Sequence, residues 1–284
     1  MKHFYLIANE VKDPEGLYTE KITAYLENHG AGVTHIDNTD CKGMDEIAGK
    51  RDSEENAVCA LVLGGDGTLL RAARNMIDKD IPLLGINLGT LGYLAEVESG
   101  AIEPALDKLL ADDYTREERM MLVGRVKKQD RAEENIALND IVISRFGSLQ
   151  ILTLHIYVNG QFLNSFSADG MIVATPTGST GYNMSAGGPV VEPSANLLLL
   201  TPICPHTLNT RSIVLAPEDE IRIEIPQGKD GRRQEVEANF DGGHKIRLET
   251  GDSIVVCKAN KTTGILKVNT ESFLTVLHKK MSEQ

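Results

Sequence analysis

The chain is short of positive charge. Its 284 residues carry 29 Lys and Arg against 41 Asp and Glu, a formal net charge of −12. That balance argues against binding to duplex DNA, whose affinity rests on a basic face meeting phosphates. It does not exclude an anionic ligand, because backbone N–H groups at glycines and helix starts can build a small phosphate site. Cysteines are few as well. Cys41, Cys59, Cys204 and Cys257 are scattered with no C-x-x-C, which fits reduced thiols in the cytosol better than a zinc site or a disulfide framework. The longest apolar run, around Asn196–Cys204, is interrupted at Thr201-Pro202 and falls far short of the roughly 20 residues a membrane helix needs. The apolar stretch within Met1–Glu10 is too short for a signal peptide, so a cytosolic protein without membrane attachment is expected. There is no G-x-x-x-x-G-K-[ST], no H-E-x-x-H and no complete G-x-G-x-x-G. The seven histidines lack metal-ligand spacing, and Ser179 has no evident His–Asp pairing, which argues against a serine hydrolase.

What is present is the composition of a soluble globular protein: 41% hydrophobic and 25% charged residues. A chain of this length buries roughly 75% of its unfolded surface and needs no staple. The first third alternates strands with helices. His3–Ala8, Gly32–Ile36, Ala57–Leu63 and Pro82–Ile86 read as strands, and Glu15–Asn28, Thr68–Ile77 and Ile102–Leu110 as helices. That rhythm implies βαβ units and a parallel, Rossmann-like sheet. Beyond about Tyr114 come short alternating runs separated by turn signals such as Asn159-Gly160, Asp241-Gly242-Gly243 and Gly251-Asp252. The expected architecture is an α/β domain over 1–114, joined by the tail 261–284, and an all-β, sandwich-like domain over 115–260. The ligand is expected between them.

The sharpest local feature is Gly64-Gly65-Asp66-Gly67-Thr68, set between the strongest strand and a helix. Glycines let the backbone approach a ligand closely. The helix start adds free N–H groups and partial positive charge, so a phosphate is the natural guest. Asp66 is then anomalous, because a carboxylate repels phosphates unless it holds Mg²⁺ or takes a proton from an attacking hydroxyl; capping the helix is the plainer role. A second glycine-rich turn, Gly85–Leu94, follows the next strand, and the carboxyl ends of neighbouring parallel strands converge on one crevice. Tyr93 in this turn can stack on a ligand or serve the core. In the β domain, Ser167-Ala168-Asp169-Gly170 precedes a strand, and Thr175–Pro189 is then rich in Gly, Ser, Thr and Pro. Small hydroxyl residues there can bond a sugar or base without filling its space, or form a capped structural loop. Asn139-Asp140 interrupts the apolar segment Ala137–Ser144, as a bulge or an exposed edge does. An Asn amide can also read an adenine edge, and a carboxylate can hold ribose hydroxyls.

Together these residues resemble the NAD kinases, enzymes that make NADP from NAD and ATP. The likeness covers most of the chain after about residue 57. It rests on Gly64–Thr68, Asn87–Leu94, Leu138-Asn139-Asp140, Asp169-Gly170 through Pro189, Asn209–Leu215 and Phe240-Asp241-Gly242. Gly64–Thr68 is shared with the lipid kinases and phosphofructokinases of a wider superfamily, whereas Asn139-Asp140 and Ala168–Pro189 are specific to NAD kinases. The resemblance implies that Asp66 is the catalytic aspartate, activating the 2′-hydroxyl of the adenosine ribose. Gly65, Gly67 and Thr68 then belong to the phosphate cradle. Asn139 matches the adenine-contacting asparagine, and Asp140 sits where the family has Glu or Asp on the ribose hydroxyls. Thr177, Thr180 and Tyr182 match a stretch lining the dinucleotide, Asp169 an acidic position near the nicotinamide end, and Tyr93 a position often occupied by Phe. The family also implies ATP or another phosphate donor, a divalent cation such as Mg²⁺, and a homodimer or homotetramer. Its metal ligands have no match assigned. Arg71, Arg74, Arg211 and His206 are read as solvated or structural.

Two other functions fit parts of this pattern. A lipid or sugar kinase shares the glycine cradle, but lacks a use for Asn139-Asp140 and would favour a basic or amphipathic membrane-facing segment, which is not seen. A non-catalytic dinucleotide sensor gains nothing from Asp66 among phosphates.

Overall fold

The computed structural model describes residues 1–36, 57–89, 92–128, 132–147, 151–207, 211–228, 231–269 and 271–282. Cys41, Thr90, Leu91 and Asn209 lie outside the described residues. The chain divides into two compact units, Met1–Glu118 with Thr263–Gln284, and Arg119–Thr262. The βαβ pattern lies in the first and most of the antiparallel strands in the second.

The first unit opens with β1 (His3–Ala8), α1 (Leu17–Asn28) and β2 (Gly32–Ile36), followed by β3 (Ala57–Gly64), α2 (Asp66–Met76) and β4 (Leu83–Asn87). A two-residue strand, β5 (Val97–Glu98), and α3 (Ile102–Leu110) complete it before the chain leaves. β2, β1, β3 and β4 lie side by side, all parallel, and Ile265 of the returning chain pairs with Leu83 on the far side of β4. β3 reads as an unbroken apolar run because parallel strands are covered on both faces; all residues from Cys59 to Gly64 are buried. α3 buries Ile102, Ala105, Leu106 and Leu109, the i, i+3, i+4, i+7 stripe of a helix lying on a core. That core gathers Phe4, Leu6, Leu26, Leu61, Leu84 and Leu266. α1 starts two residues later than its periodicity suggests. Asp13 is the cause: its carboxylate accepts the Tyr18 and Thr19 amides, satisfying helix-start donors.

The second unit is a sandwich of antiparallel strands. One layer runs β13 (Ile213–Leu215), β12 (Leu198–Ile203), β11 (Gly170–Ala174), β8 (Asp140–Arg145), β15 (Glu235–Phe240), β16 (His244–Glu249). The other holds β10 (Gln161–Ala168), β9 (Leu152–Val158), β14 (Ile221–Glu224) and the start of β17 (Ser253–Lys267), with the hairpin of β6 (Thr115–Lys127) and β7 (Ala132–Ala137). Leu154, Ile156, Ile223 and Val256 of one layer meet Ile141, Ile143, Val173 and Phe240 of the other.

β11 and β12 do not alternate; every residue of both is buried. Their second face, with Ile172, Ala174 and Leu199, is covered by Ala186, Val191 and Leu197 from the segment after β11. The glycine- and hydroxyl-rich stretch is therefore a lid on the sheet as well as a candidate binding element. It contains a 3₁₀ turn (Thr177–Thr180) and the single-turn α4 (Tyr182–Ser185).

Two expectations need correcting. The apolar segment 137–144 is not one strand; β7 ends at Ala137 and β8 begins at Asp140, on different layers. Nor is Asn139-Asp140 on an exposed edge, because β8 is flanked by β11 and β15 and Asp140 is buried. Sequence alternation cannot tell a strand that changes layers from one that continues.

Candidate active site

In the first unit, β3 delivers the chain to Gly64 and α2 starts two residues later. A Cβ at Gly64 would come against the Thr68 hydroxyl, so this residue must be glycine for the turn to close on the helix. Thr68 is buried, and its hydroxyl accepts a hydrogen bond from Asn9 Nδ2 at 3.1 Å. Asn9 also donates its own amide to Leu63 O at 2.9 Å, so β1, β3 and α2 are tied together at one end of the sheet. Thr68 therefore pins the cradle. The first amides of α2 have no intrahelical acceptor, which leaves donors at Gly65–Gly67 for an anion.

Asp66 is not the N-cap of α2, a position held by Gly65. Its carboxylate instead accepts the amides of Tyr93 at 2.9 Å and Leu94 at 3.3 Å. This aims the group away from its own helix, and each oxygen keeps capacity for one further donor. Tyr93 thus acts here through its backbone, while its ring lies 6.0 Å from the Lys280 ammonium on α5 (Phe273–Ser282). The second glycine turn is held by Asn87, buried, which donates to Gly89 O at 2.8 Å and accepts the Gly89 amide at 3.1 Å.

In the second unit, residues 138–140 are pinned from two sides. The Asp241 carboxylate accepts the amides of Leu138 (2.8 Å), Asn139 (2.8 Å) and Asp140 (3.1 Å). From the other side, the Thr175 hydroxyl donates to Leu138 O at 2.6 Å and accepts the Gly178 amide at 3.0 Å. Gly178 packs directly on this backbone, and a Cβ there would lie 2.0 Å from Asn139 O. Because that neighbour is main chain locked by the hydrogen bonds to Asp241 and Thr175, it has nowhere to move. Gly178→Ala is expected to cost the second unit about 1–3 kcal/mol or more, read as a lowered urea midpoint; an unchanged midpoint would refute the clash.

The Asn139 side-chain oxygen Oδ1 and the Thr177 hydroxyl are buried with no partner among the described residues. Buried polar atoms normally find partners, so each of the two offers a place for a polar ligand edge. Asp140 follows Asn139 in the chain. Burial first, and the Asp241 charge second, push its carboxyl up to about 7. The ordinary value is 3.8, so between about 4 and 7 the folded state binds more protons than the unfolded one, and stability from this group falls as pH rises through that window. Wild type measured against Asp140→Asn should therefore lose melting temperature between pH 5 and pH 8; a constant difference would show that Asp140 does not titrate there.

Of the other residues expected at the site, Thr180 bonds back to Thr177 O at 3.4 Å and Tyr182 is 46% exposed on α4. Asp169 is not brought beside Asp140. The two sit at opposite ends of β11 and its partner β8, where Gly170 faces Ser144 and Ala174 faces Asp140, and Asp169 pairs with Arg145 at 3.4 Å. The sequence by itself does not assign these roles to Asn9, Asn87, Thr175 and Asp241. Their local signal is a polar residue at a strand's end: Asn87 closes β4, and Asn9, Thr175 and Asp241 directly follow β1, β11 and β15.

Comparison with known proteins identifies the family. The ATP-NAD kinase N-terminal domain family matches residues 10–114, and the ATP-NAD kinase C-terminal domain family matches 138–268. An NAD kinase of Agathobacter rectalis is 48% identical over 282 residues, covering 99% of both chains. One from Lachnospira eligens is 43% identical over 295 residues, covering 99% of this chain and all of that one. Yeast NADH kinase, solved with NADH, superposes with a TM-score of 0.84 at 25% identity, over 99% of this chain and 88% of the other. The Archaeoglobus fulgidus NAD kinase, solved with ATP, shares the fold with a TM-score of 0.76 at 23% identity, over 99% of each chain. The two family matches and the full-length relatives place the chain in the NAD kinase family, the phosphotransferases that phosphorylate NAD.

Proposed function

We propose that the chain transfers the γ-phosphate of ATP to the 2′-hydroxyl of the adenosine ribose of NAD, releasing NADP and ADP, with Asp66 as general base. The observation that carries this is the Asp66 carboxylate, held by two backbone amides and turned away from the helix it opens. Phosphoryl transfer asks little covalent chemistry of a protein; it needs positioned reactants, a group to take the nucleophile's proton, and charge stabilisation. Asp66 accepts the 2′-hydroxyl proton as the oxygen bonds to the γ-phosphorus and the bond to ADP breaks. The amides of Gly65 and Gly67 face the phosphates. Asn139 reads the adenine edge, its carbonyl oxygen accepting the exocyclic amine, and Thr177 offers its hydroxyl. Asp140 accepts the ribose hydroxyls, most strongly when ionised. Thr180 and Tyr182 line the dinucleotide, and Asp169 takes the nicotinamide side.

The donor set also suits a divalent ion brought by the donor. Among the described residues no three His, Cys, Asp or Glu side chains cluster as a cage. Mg²⁺ keeps several waters and commonly takes one or two carboxylates plus substrate phosphates, so an ion carried by the donor phosphates would neutralise their charge with few ligands from the chain. Cys59, Cys204 and Cys257 are free thiols, and no helix among the described residues is long and apolar enough to cross a membrane; both suit a cytosolic enzyme. Tyr182, Met184 and Val190 expose apolar surface, which suits a homodimer or homotetramer.

The test is an endpoint assay with NAD, ATP and Mg²⁺, reading NADP with an NADP-specific dehydrogenase, alongside NADH and a panel of sugars and lipids scored by ADP release. NADP formation is expected. ADP released only with another acceptor would leave the cradle standing and overturn the Asn139 and Asp140 roles.

A further inference from the structure

Lys12 has no role in what precedes, and the structure gives it an unusual position. The turn after β1 is built by Asn9, whose carbonyl accepts the amides of Lys12 and Asp13 at 2.9 Å each and whose side-chain oxygen accepts the Val11 amide at 3.0 Å. Asp13, buried, is in turn committed to the start of α1. The Lys12 backbone is therefore fixed between two anchors, and only its long side chain is free to swing. That side chain reaches over both glycine turns: a Cβ built on Gly65 would lie 2.8 Å from Nζ, and one built on Gly89 would lie 3.1 Å from it. Gly65 precedes α2, and Gly89 is the residue clamped by Asn87. No hydrogen bond or ion pair engages the ammonium among the described residues.

A lysine in a chain with 12 surplus negative charges has many carboxylates to choose from. This one lies instead over bare backbone, next to the first amides of α2. We infer that Lys12 binds the phosphate chain of the donor, its ammonium completing a cradle whose other donors are the amides at Gly65–Gly67. This rests on the reading of the glycine turn as the donor-phosphate site. The chemistry suits the residue: a compact, strongly charged ammonium on a flexible stem follows a phosphate group as it moves, whereas the amides are fixed. Glycine at 65 and 89 then has a second reason. A side chain at either position would displace the ammonium.

Lys12→Met and Lys12→Arg test the inference in the full-length protein. The side chain is exposed, so both variants should melt within a few degrees of wild type. Lys12→Met is expected to raise KM for ATP, and the inhibition constant of inorganic triphosphate against ATP, by the same factor of about 10–100, the value of a charge-assisted hydrogen bond. KM for NAD should stay within about twofold, and Lys12→Arg should recover part of the loss. Calorimetry with inorganic triphosphate and Mg²⁺ measures the same contact without turnover. If wild type makes no NADP but Lys12→Met still loses triphosphate affinity, the lysine assignment stands and the NAD reading fails. The inference is overturned if triphosphate and ATP bind Lys12→Met as they bind wild type, or if KM for NAD rises as much as KM for ATP.

Discussion

Asp66→Asn should lower kcat by about 10²–10⁴-fold, the usual worth of a positioned general base, and leave the protein folded. The argument is one of atoms. Asp66 accepts two backbone amides, from Tyr93 and Leu94. An asparagine can keep one of them through its carbonyl oxygen, but its NH₂ then faces the other donor, so one hydrogen bond is lost at about 1 kcal/mol. Thermal stability should fall by only a few degrees while the proton acceptor disappears altogether. KM for NAD should change little, because the adenosine contacts assigned to Asn139 and Asp140 are untouched. Measuring kcat, both KM values and the melting curve together separates the possibilities. A variant retaining near-normal kcat would remove Asp66 from the proton-transfer step; one that fails to fold would make it a structural residue.

Gly92→Ala is the second large effect, and it reaches the same carboxylate from outside. A Cβ at Gly92 would lie 1.9 to 2.3 Å from the three carboxyl atoms of Asp66. Its φ does not require glycine, since it is absent from the positive-φ residues. The nearest atoms belong to a side-chain tip that can rotate away, at the cost of its two amide hydrogen bonds, about 2 kcal/mol in all, so the protein should still fold. Displacement of a reacting group by about 1 Å costs on the order of 10²-fold in rate. The expected result is therefore a folded protein with kcat down about 10²-fold, unlike Gly178→Ala, whose Cβ strikes immobile backbone. Combining Gly92→Ala with Asp66→Asn should cost no more than Asp66→Asn alone, because residues acting as one unit are not additive. Full additivity of the two would show that Gly92 acts through something other than Asp66.

Much of this molecule follows from the amino-acid sequence by itself. Continuous apolar strands alternating with 3.6-periodic helices dictate a parallel sheet in the first unit, and short runs between turn residues dictate antiparallel layers in the second. Gly64–Thr68 announces a close backbone approach because only glycine permits it, and Asn139-Asp140 stands out as polarity inside an apolar run. These features are local: a period, a turn or a missing side chain is written in neighbouring residues. Their environments are not. The amides that hold Asp66 come from 27 and 28 residues downstream, and the carboxylate that holds Asn139-Asp140 comes from 102 and 101 residues downstream. Whether Asp140 is an edge residue or a buried acid near pH 7, whether Thr68 meets ligand or Asn9, and whether Lys12 lies over Gly65 or in solvent are decided by which elements pack together. Burial and charge proximity, which set the pKa, the orientation and the reach of each group, come into being only when the strands and loops that carry them are assembled.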